Sequence, residues 1–329
     1  MEYSILGKTG IRVSRICLGT MSFGWLLTEE ESRPIIEKAL DLGITFFDTA
    51  NVYGRGRSEE ILGAALKDHR EDVIIATKVF WSFRQPAATG LSRPFVFKEV
   101  NDSLHRLQTD YIDVYYAHRF DPNISFEDVL RTLNVLIDKG NVHHIGASTM
   151  FAWELAKSLW IADKSGLEPF QVVQPHYNLL YREEEREMLP LCRDQKIAAT
   201  PWGPLARGVL TGGYSRAGKP ATVRAQKDAE LIEHWFTREQ DFLIVDRVKE
   251  LAKEKDCSPA QIALAWIFSK REITAPIVGI TKVIHLEEAV ASLEIRLSPE
   301  NIEYLEELYK PRELTGHYGG NPMPGDPQE

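Results

Sequence analysis

The chain has 329 residues, with 39 Lys and Arg against 48 Asp and Glu, so its formal charge is −9 with neutral histidines. That acidic excess argues against nucleic acid or an anionic membrane surface as the partner. At 43% hydrophobic and 26% charged residues the chain is not a disordered one, and it can fill a large core.

The opening MEYSILGKTGIRV lacks the continuous apolar stretch of a signal peptide, and no run approaches the ~20 apolar residues of a membrane span. A cytoplasmic protein is therefore expected. Apolar and polar residues alternate around Lys8-Thr9-Gly10, which predicts an N-terminal β-hairpin. From there, short β-rich runs alternate with segments of helical period, the pattern of parallel βα units. The runs fall at 16–18, 45–47, 73–77, 111–117, 144–147, 172–174, 197–200 and 276–278.

Between them, Thr28-x-x-Glu31 reads as a capping box opening a helix over 29–42. Val96, Val100, Leu104 and Leu107 share one helical stripe, as do Phe126, Val129, Leu130, Leu133 and Ile137. Residues 203–237 make too long a stretch for an ordinary βα loop, and 238–255 reads as an extra helix after the seventh strand. Such insertions usually sit over an active face. Ser258-Pro259-x-Gln261 joins an N-cap, a first-position proline and a capping glutamine, and Ser298-Pro299-Glu300 opens a C-terminal extra helix. The Gly- and Pro-rich residues 316–329 read as a flexible tail, leaving 1–315 as a single domain.

Eight strands alternating with helices over this length predict an α/β chain of the (β/α)8 TIM-barrel type rather than an open sheet. Cys17, Cys192 and Cys257 are far apart, with no C-x-x-C pair, and read as reduced packing residues. Several motifs fail on their chemistry. Gly54-x-Gly56-x-x-Glu59 has glutamate where a dinucleotide fingerprint needs a close-packing glycine. Gly213-x-x-x-x-Gly218-Lys219 is followed by Pro220 where a phosphate loop needs Ser or Thr. His143 and His144 are adjacent on a strand and point to opposite faces, so no metal site is expected.

Reactive groups of a parallel barrel gather at the carboxyl ends of its strands. The second strand ends in Asp48 and leads to Tyr53, the third carries Lys78, and the fourth leads to His118. Each alone fits a bland role in packing or on the surface. Together they make a proton-donor site: a buried Lys78 needs the counter-charge of Asp48, and its own charge favours the phenolate of Tyr53. His118 would hydrogen-bond a substrate carbonyl and orient it toward that donor.

These residues in this order resemble the aldo-keto reductase superfamily. Supporting motifs run from Leu18-Gly19-Thr20-Met21 through Asp48-x-x-x-x-Tyr53-Gly54 and Thr77-Lys78 to Ile277-Val278-Gly279. Ala117-His118-Arg119-Phe120-Asp121-Pro122-Asn123 and Pro201-Trp202-Gly203-Pro204-Leu205-Ala206-Arg207-Gly208 are similar to the branch holding the potassium-channel β subunits and related bacterial reductases. The resemblance implies an NADPH-dependent carbonyl reductase whose catalytic tetrad is Asp48, Tyr53, Lys78 and His118.

It also implies the positions that hold NADP(H). Gly19, Thr20, Met21 and Asp48 come from the first two strands, while Ser148, Thr149 and Gln174 meet the carboxamide. Trp202 stacks on the nicotinamide, and Gly203, Pro204, Leu205 and Arg207 follow the pyrophosphate. Arg224 in the long loop, with Gly279, Thr281, Lys282, His285 and Glu288, would hold the adenosine end and its 2′-phosphate. Thr149 stands where Asn or Arg is common, Gly213 replaces a loop lysine and Ala289 replaces the usual asparagine. Met21, Trp25, Tyr53, Phe80, Trp81 and His118 are expected to line an aromatic substrate mouth for a small carbonyl compound. Two other readings remain: a slow-turnover nicotinamide-binding regulatory subunit resembling the channel β subunits, and a metal-dependent lyase or isomerase. The first is disfavoured by His118, where those subunits usually carry asparagine; the second needs clustered ligands that the sequence lacks.

Overall fold

The computed structural model describes residues 1–84, 89–214 and 229–312. The residues 316–329 read as a tail lie outside them. Strands β1 (Tyr3–Ile5) and β2 (Arg12–Ser14) form the expected antiparallel hairpin, with Tyr3 opposite Ser14. Eight parallel strands follow: β3 (Cys17–Gly19), β4 (Phe46–Asp48), β5 (Ile74–Val79), β6 (Ile112–Ala117), β7 (Val142–Ser148), β8 (Val172–Gln174), β9 (Ala198–Ala199) and β10 (Ile277–Gly279). Their order is β10-β3-β4-β5-β6-β7-β8-β9. Isolated parallel bridges Ala199 to Ile273 and Trp202 to Ile277 join the two ends of that order, so the sheet curls round on itself. Each sequence-predicted run overlaps one of these strands.

Helices α1 (Glu29–Asp41), α2 (Arg57–Leu66), α3 (Arg93–Leu107), α4 (Phe126–Asp138), α5 (Ala152–Ser165) and α6 (Met188–Gln195) come between the strands. The predicted capping box is present at α1: Thr28 N–H donates to Glu31 Oε2 at 2.8 Å, and Glu31 N–H donates to Thr28 Oγ1 at 3.3 Å. After β9 come α7 (Ala229–Phe236) and α8 (Glu239–Glu254), then α9 (Pro259–Phe268), α10 (Val283–Ala291) and α11 (Pro299–Glu306).

Helix α8 is the predicted extra helix, but α7 corrects the reading of 203–237 as loop alone. Its buried stripe of Ile232, Trp235 and Phe236 spans little more than one turn, too short a window for helical period to register. The segment also holds a 3₁₀ turn at Ala206–Thr211.

Alternation along the strands sorts the core into two layers. Outward residues such as Leu18, Phe47, Ile75, Tyr115, Ile145 and Val173 pack among the helices. Inward ones, Cys17, Phe46, Ala76, Val114, Tyr116, Val172 and Ala198, pack with Leu6 and Val13 of the hairpin segment. A Cβ on Gly7, whose φ is +59°, would come within 2.9 Å of Ala198 N and Gln171 O. That close approach needs glycine and seats the hairpin on the strands' amino ends.

Candidate active site

Two residues further along each strand, the inward positions change character. Phe46 gives way to Asp48, Ala76 to Lys78, Tyr116 to His118, Gly146 to Ser148 and Val172 to Gln174. The parallel register sets Asp48 beside Ala76 and Lys78 beside Tyr116. A polar layer therefore lies directly on the apolar one.

Lys78 is fully buried, and its ammonium donates to Asp48 Oδ1 at 2.5 Å, Thr49 O at 2.7 Å and the Tyr53 phenol oxygen at 3.2 Å. Gln174 Nε2 donates to the other oxygen of Asp48 at 2.8 Å. Burial pushes the Asp48 carboxyl above the ordinary carboxylate range, against the pull of Lys78. Burial alone would lower Lys78, but Asp48 and then Tyr53 outweigh it and hold the ammonium above the ordinary lysine value. The pair is thus a cation held in place beside a phenol.

Tyr53 opens a 3₁₀ turn, Tyr53–Gly56, in which Gly54 has φ 54° and Arg55 φ 58°. A Cβ on Gly54 would lie 3.0 Å from the carbonyl group of Gly24 and from Phe23 O, so the Tyr-Gly step is a close-packing requirement. The His118 ring meets Tyr53 edge-on at 5.9 Å and Trp81 at 4.7 Å. Burial, then the cations Arg119 and Lys78, push its pKa well below the ordinary 6.5, so the imidazole is neutral at physiological pH. Its Nδ1 is buried without a hydrogen-bond partner.

Asp48, Tyr53 and His118 line a cleft of about 1150 Å³, with the Lys78 ammonium buried behind Asp48 and Tyr53. This exceeds the roughly 300–1,000 Å³ of a small-molecule pocket, leaving room for an elongated ligand beside a small one. Of the residues expected to meet a cofactor, the cleft wall holds Gly19, Met21, Asp48, Ser148, Gln174, Trp202, Gly203, Pro204, Leu205, Arg207, Gly279, Thr281, Lys282, His285 and Glu288. Trp202 has one ring face covered by His176, stacked at 4.0 Å and 6°, and its Nε1 donates to Thr149 Oγ1 at 3.0 Å. Such a set fits a nicotinamide dinucleotide: amide and hydroxyl groups by the proton-donor site, a half-covered aromatic ring, and Lys282 at the start of α10, where backbone N–H groups face an anion.

Other expected residues lie elsewhere. Thr20 is buried, with its hydroxyl on Asp48 O at 3.0 Å and on Ser58 Oγ at 2.7 Å, and Thr149 is buried beneath Trp202. Of the expected mouth, Met21, Tyr53, Trp81 and His118 line the cleft. Phe80 is buried against Trp81 at 5.2 Å, and Trp25, 40% exposed, is not part of the wall. Arg224 lies outside the described residues.

Sequence reasoning missed Arg119, which lines the cleft with its guanidinium 4.8 Å from the Trp81 ring centroid. It also missed His176, sandwiched between Trp202 and Tyr181, the latter at 4.4 Å. Arg119 follows His118 directly, a signal that was available; nothing local marks His176 as a ring partner.

Comparison with known proteins matches residues 15–310 to the Aldo/keto reductase family. The versiconal hemiacetal acetate reductase of Aspergillus parasiticus is 40% identical, covering 95% of this chain and 98% of its own length. An aldo-keto reductase of Fusarium vanettenii is 36% identical, covering 96% and 93%. A rice protein named "probable voltage-gated potassium channel subunit beta", from Oryza sativa subspecies japonica, is 36% identical, covering 93% and 96%.

Proposed function

From the premise that this chain belongs to the aldo/keto reductase family, and is thereby an NAD(P)H-dependent oxidoreductase, we propose that it uses NADPH to reduce aldehydes or ketones to alcohols, with Tyr53 as proton donor. The observation that carries this reading is the buried Lys78 ammonium, 3.2 Å from the Tyr53 oxygen and 2.5 Å from Asp48.

A bound reduced nicotinamide supplies the hydride to the carbonyl carbon. Tyr53 hydrogen-bonds the carbonyl oxygen and gives it the phenolic proton as negative charge develops there, and the resulting phenolate rests beside the Lys78 cation. Asp48, held by Gln174, balances that cation between turnovers. Neutral His118 donates a second hydrogen bond to the same oxygen from its ring N–H and fixes its direction. Trp202 offers its uncovered face to a planar ring, with His176 bracing the other. Ser148 and Gln174 stand where a carboxamide needs polar partners, and Lys282 is the cation for a 2′-phosphate.

Tyr53, Trp81, His118 and Met21 give the reacting end an aromatic, largely apolar wall, so apolar or aromatic carbonyls are favoured over phosphorylated sugars. The likeness to a protein named as a versiconal hemiacetal acetate reductase supports the reductase reading. The likeness to a protein named as a channel β subunit supports placing the chain near that branch, with the catalytic histidine retained as His118.

NADPH consumption over a panel of aldehydes and ketones tests the proposal. Sustained turnover, highest with aromatic aldehydes, is expected. Oxidation of a single equivalent of bound NADPH without steady-state turnover would instead favour a regulatory nicotinamide-binding role.

A further inference from the structure

Between the barrel and α3 lies a buried polar contact that the reduction chemistry does not use. Asn51 is fully buried and Glu99, on α3, is 4% exposed. The Asn51 amide nitrogen donates twice, to Glu99 Oε2 at 2.8 Å and to the backbone carbonyl of Trp81 at 3.0 Å. Its backbone N–H donates to Lys78 O at 3.3 Å. One residue thus joins the turn that carries Tyr53 to the strand that carries Lys78 through its backbone, and to α3 and the segment whose indole stands edge-on to His118 at 4.7 Å through its side chain.

The orientation of the amide is determined by its partners, because flipping it would face its oxygen with two acceptors. As placed, Asn51 Oδ1 is buried without a partner. An apolar side chain here would remove that orphaned oxygen but strip Glu99 Oε2 and Trp81 O of their donor. The two donors are what this asparagine supplies. Asn51 is not part of the cleft wall, whereas Trp81 is, so its influence on a reaction runs through Trp81.

We propose that Asn51 is a positioning residue for the reductase site, its amide tying the Trp81 backbone to the Glu99 carboxylate so that the indole stays edge-on to His118 and selects which carbonyls fit. This rests on the reductase reading above. Ring-bearing acceptors should depend on that wall, while small aliphatic aldehydes should largely ignore it.

The test compares Asn51→Leu with wild type in NADPH affinity, in kcat/KM for a bulky aromatic and a small aliphatic aldehyde, and in amide hydrogen exchange over residues 79–84. Expected are a loss of about tenfold for the aromatic substrate, about threefold or less for the aliphatic one, little change in NADPH affinity, and faster exchange at 79–84. Because Asn51→Leu could fail to fold, a second comparison keeps the shape of the side chain. Asn51→Asp has no N–H to offer the Trp81 carbonyl and sets two carboxylates face to face, whereas Glu99→Gln keeps an oxygen that accepts from the Asn51 amide and leaves the Trp81 tie in place. Asn51→Asp should therefore exchange faster at 79–84 than wild type, and Glu99→Gln should exchange more slowly than Asn51→Asp. Equal losses on both aldehydes, unaltered exchange in Asn51→Leu, or exchange in Asn51→Asp no faster than in Glu99→Gln would overturn the proposal. Failure of the reductase reading shows separately, as undiminished turnover in Tyr53→Phe, and the exchange measurements keep their meaning either way.

Discussion

The two ends of the barrel interior are built by the same strands and differ by a step of two residues. At the amino ends Cys17, Phe46, Ala76, Val114 and Val172 form a buried apolar plug against Leu6 and Val13. At the carboxyl ends the same rows continue into Asp48, Lys78, His118 and Gln174, which are just as buried but charged or polar. The plug supplies stability through apolar burial, whereas the upper layer holds groups whose burial is costly and is offset only by their pairing. Reactivity is thereby confined to one end of that axis: a substitution in the plug should cost stability and spare turnover, whereas one that breaks the buried pairing of the upper layer should cost both.

The strongest way to break this contrast is a matched pair of variants. Lys78→Met leaves Asp48 buried without its cation, and should lower stability by about 3–5 kcal/mol and kcat by ~100-fold or more. Phe46→Ala should cost a similar ~3–5 kcal/mol through its cavity yet leave kcat of the folded fraction within about threefold. Denaturant melts combined with steady-state kinetics would show the division to be wrong if Phe46→Ala lost activity as Lys78→Met does.

How far each layer was legible in the sequence follows from the range of its contacts. The strands, the α1 and α9 caps and the hairpin were readable, since alternation, Ser-Pro and Thr-x-x-Glu patterns act over a few residues. Asp48, Tyr53, Lys78 and His118 were readable from their order at strand ends. By contrast, α7 was too short to register, His176 is a ring partner only because strands β8 and β9 are neighbours, and the Asn51 to Glu99 contact spans 48 positions. Phe80 and Trp25 were expected at the substrate mouth on sequence position alone, but Phe80, one residue past β5, is buried in the layer between strands and helices against Trp81, and Trp25 is 40% exposed outside the wall. Thr20 was expected beside the cofactor, but its hydroxyl instead braces the backbone of Asp48.

The next effect in size sharpens the upper layer at its far end. Lys282→Ala should weaken NADPH by about one to two orders of magnitude while leaving NADH nearly unchanged, since a charge-assisted contact contributes roughly 1.5–3 kcal/mol. Equal weakening of both cofactors in a binding titration would place Lys282 in general loop packing.

His118 yields a smaller, pH-dependent effect. Its folded pKa lies well below 6.5 because of burial, Arg119 and Lys78. Between that lowered value and 6.5 the unfolded chain holds a proton that the folded chain does not. Its contribution to stability is therefore present above pH 6.5 and is lost as pH falls, with a slope of at most ~1.4 kcal/mol per pH unit. His118→Asn should flatten that part of the stability profile; an unchanged slope would assign it to other groups.

The smallest effect concerns a strained position beneath the ring stack. Thr149 is β-branched yet has φ 49°, where left-handed backbone disfavours it. Thr149→Asn should relieve roughly 1 kcal/mol of strain and raise the melting temperature by about 2 °C. A lower melting temperature would show that the 3.0 Å bond from Trp202 to Thr149 outweighs the strain.

The claim that the upper layer is a proton-donor site is tested most directly by Tyr53→Phe, which removes one oxygen and leaves Lys78 paired with Asp48. Measured with saturating NADPH and an aromatic aldehyde, kcat should fall by ~100-fold or more while NADPH affinity and melting temperature stay close to wild type. Turnover near the wild-type rate in that variant would contradict the account.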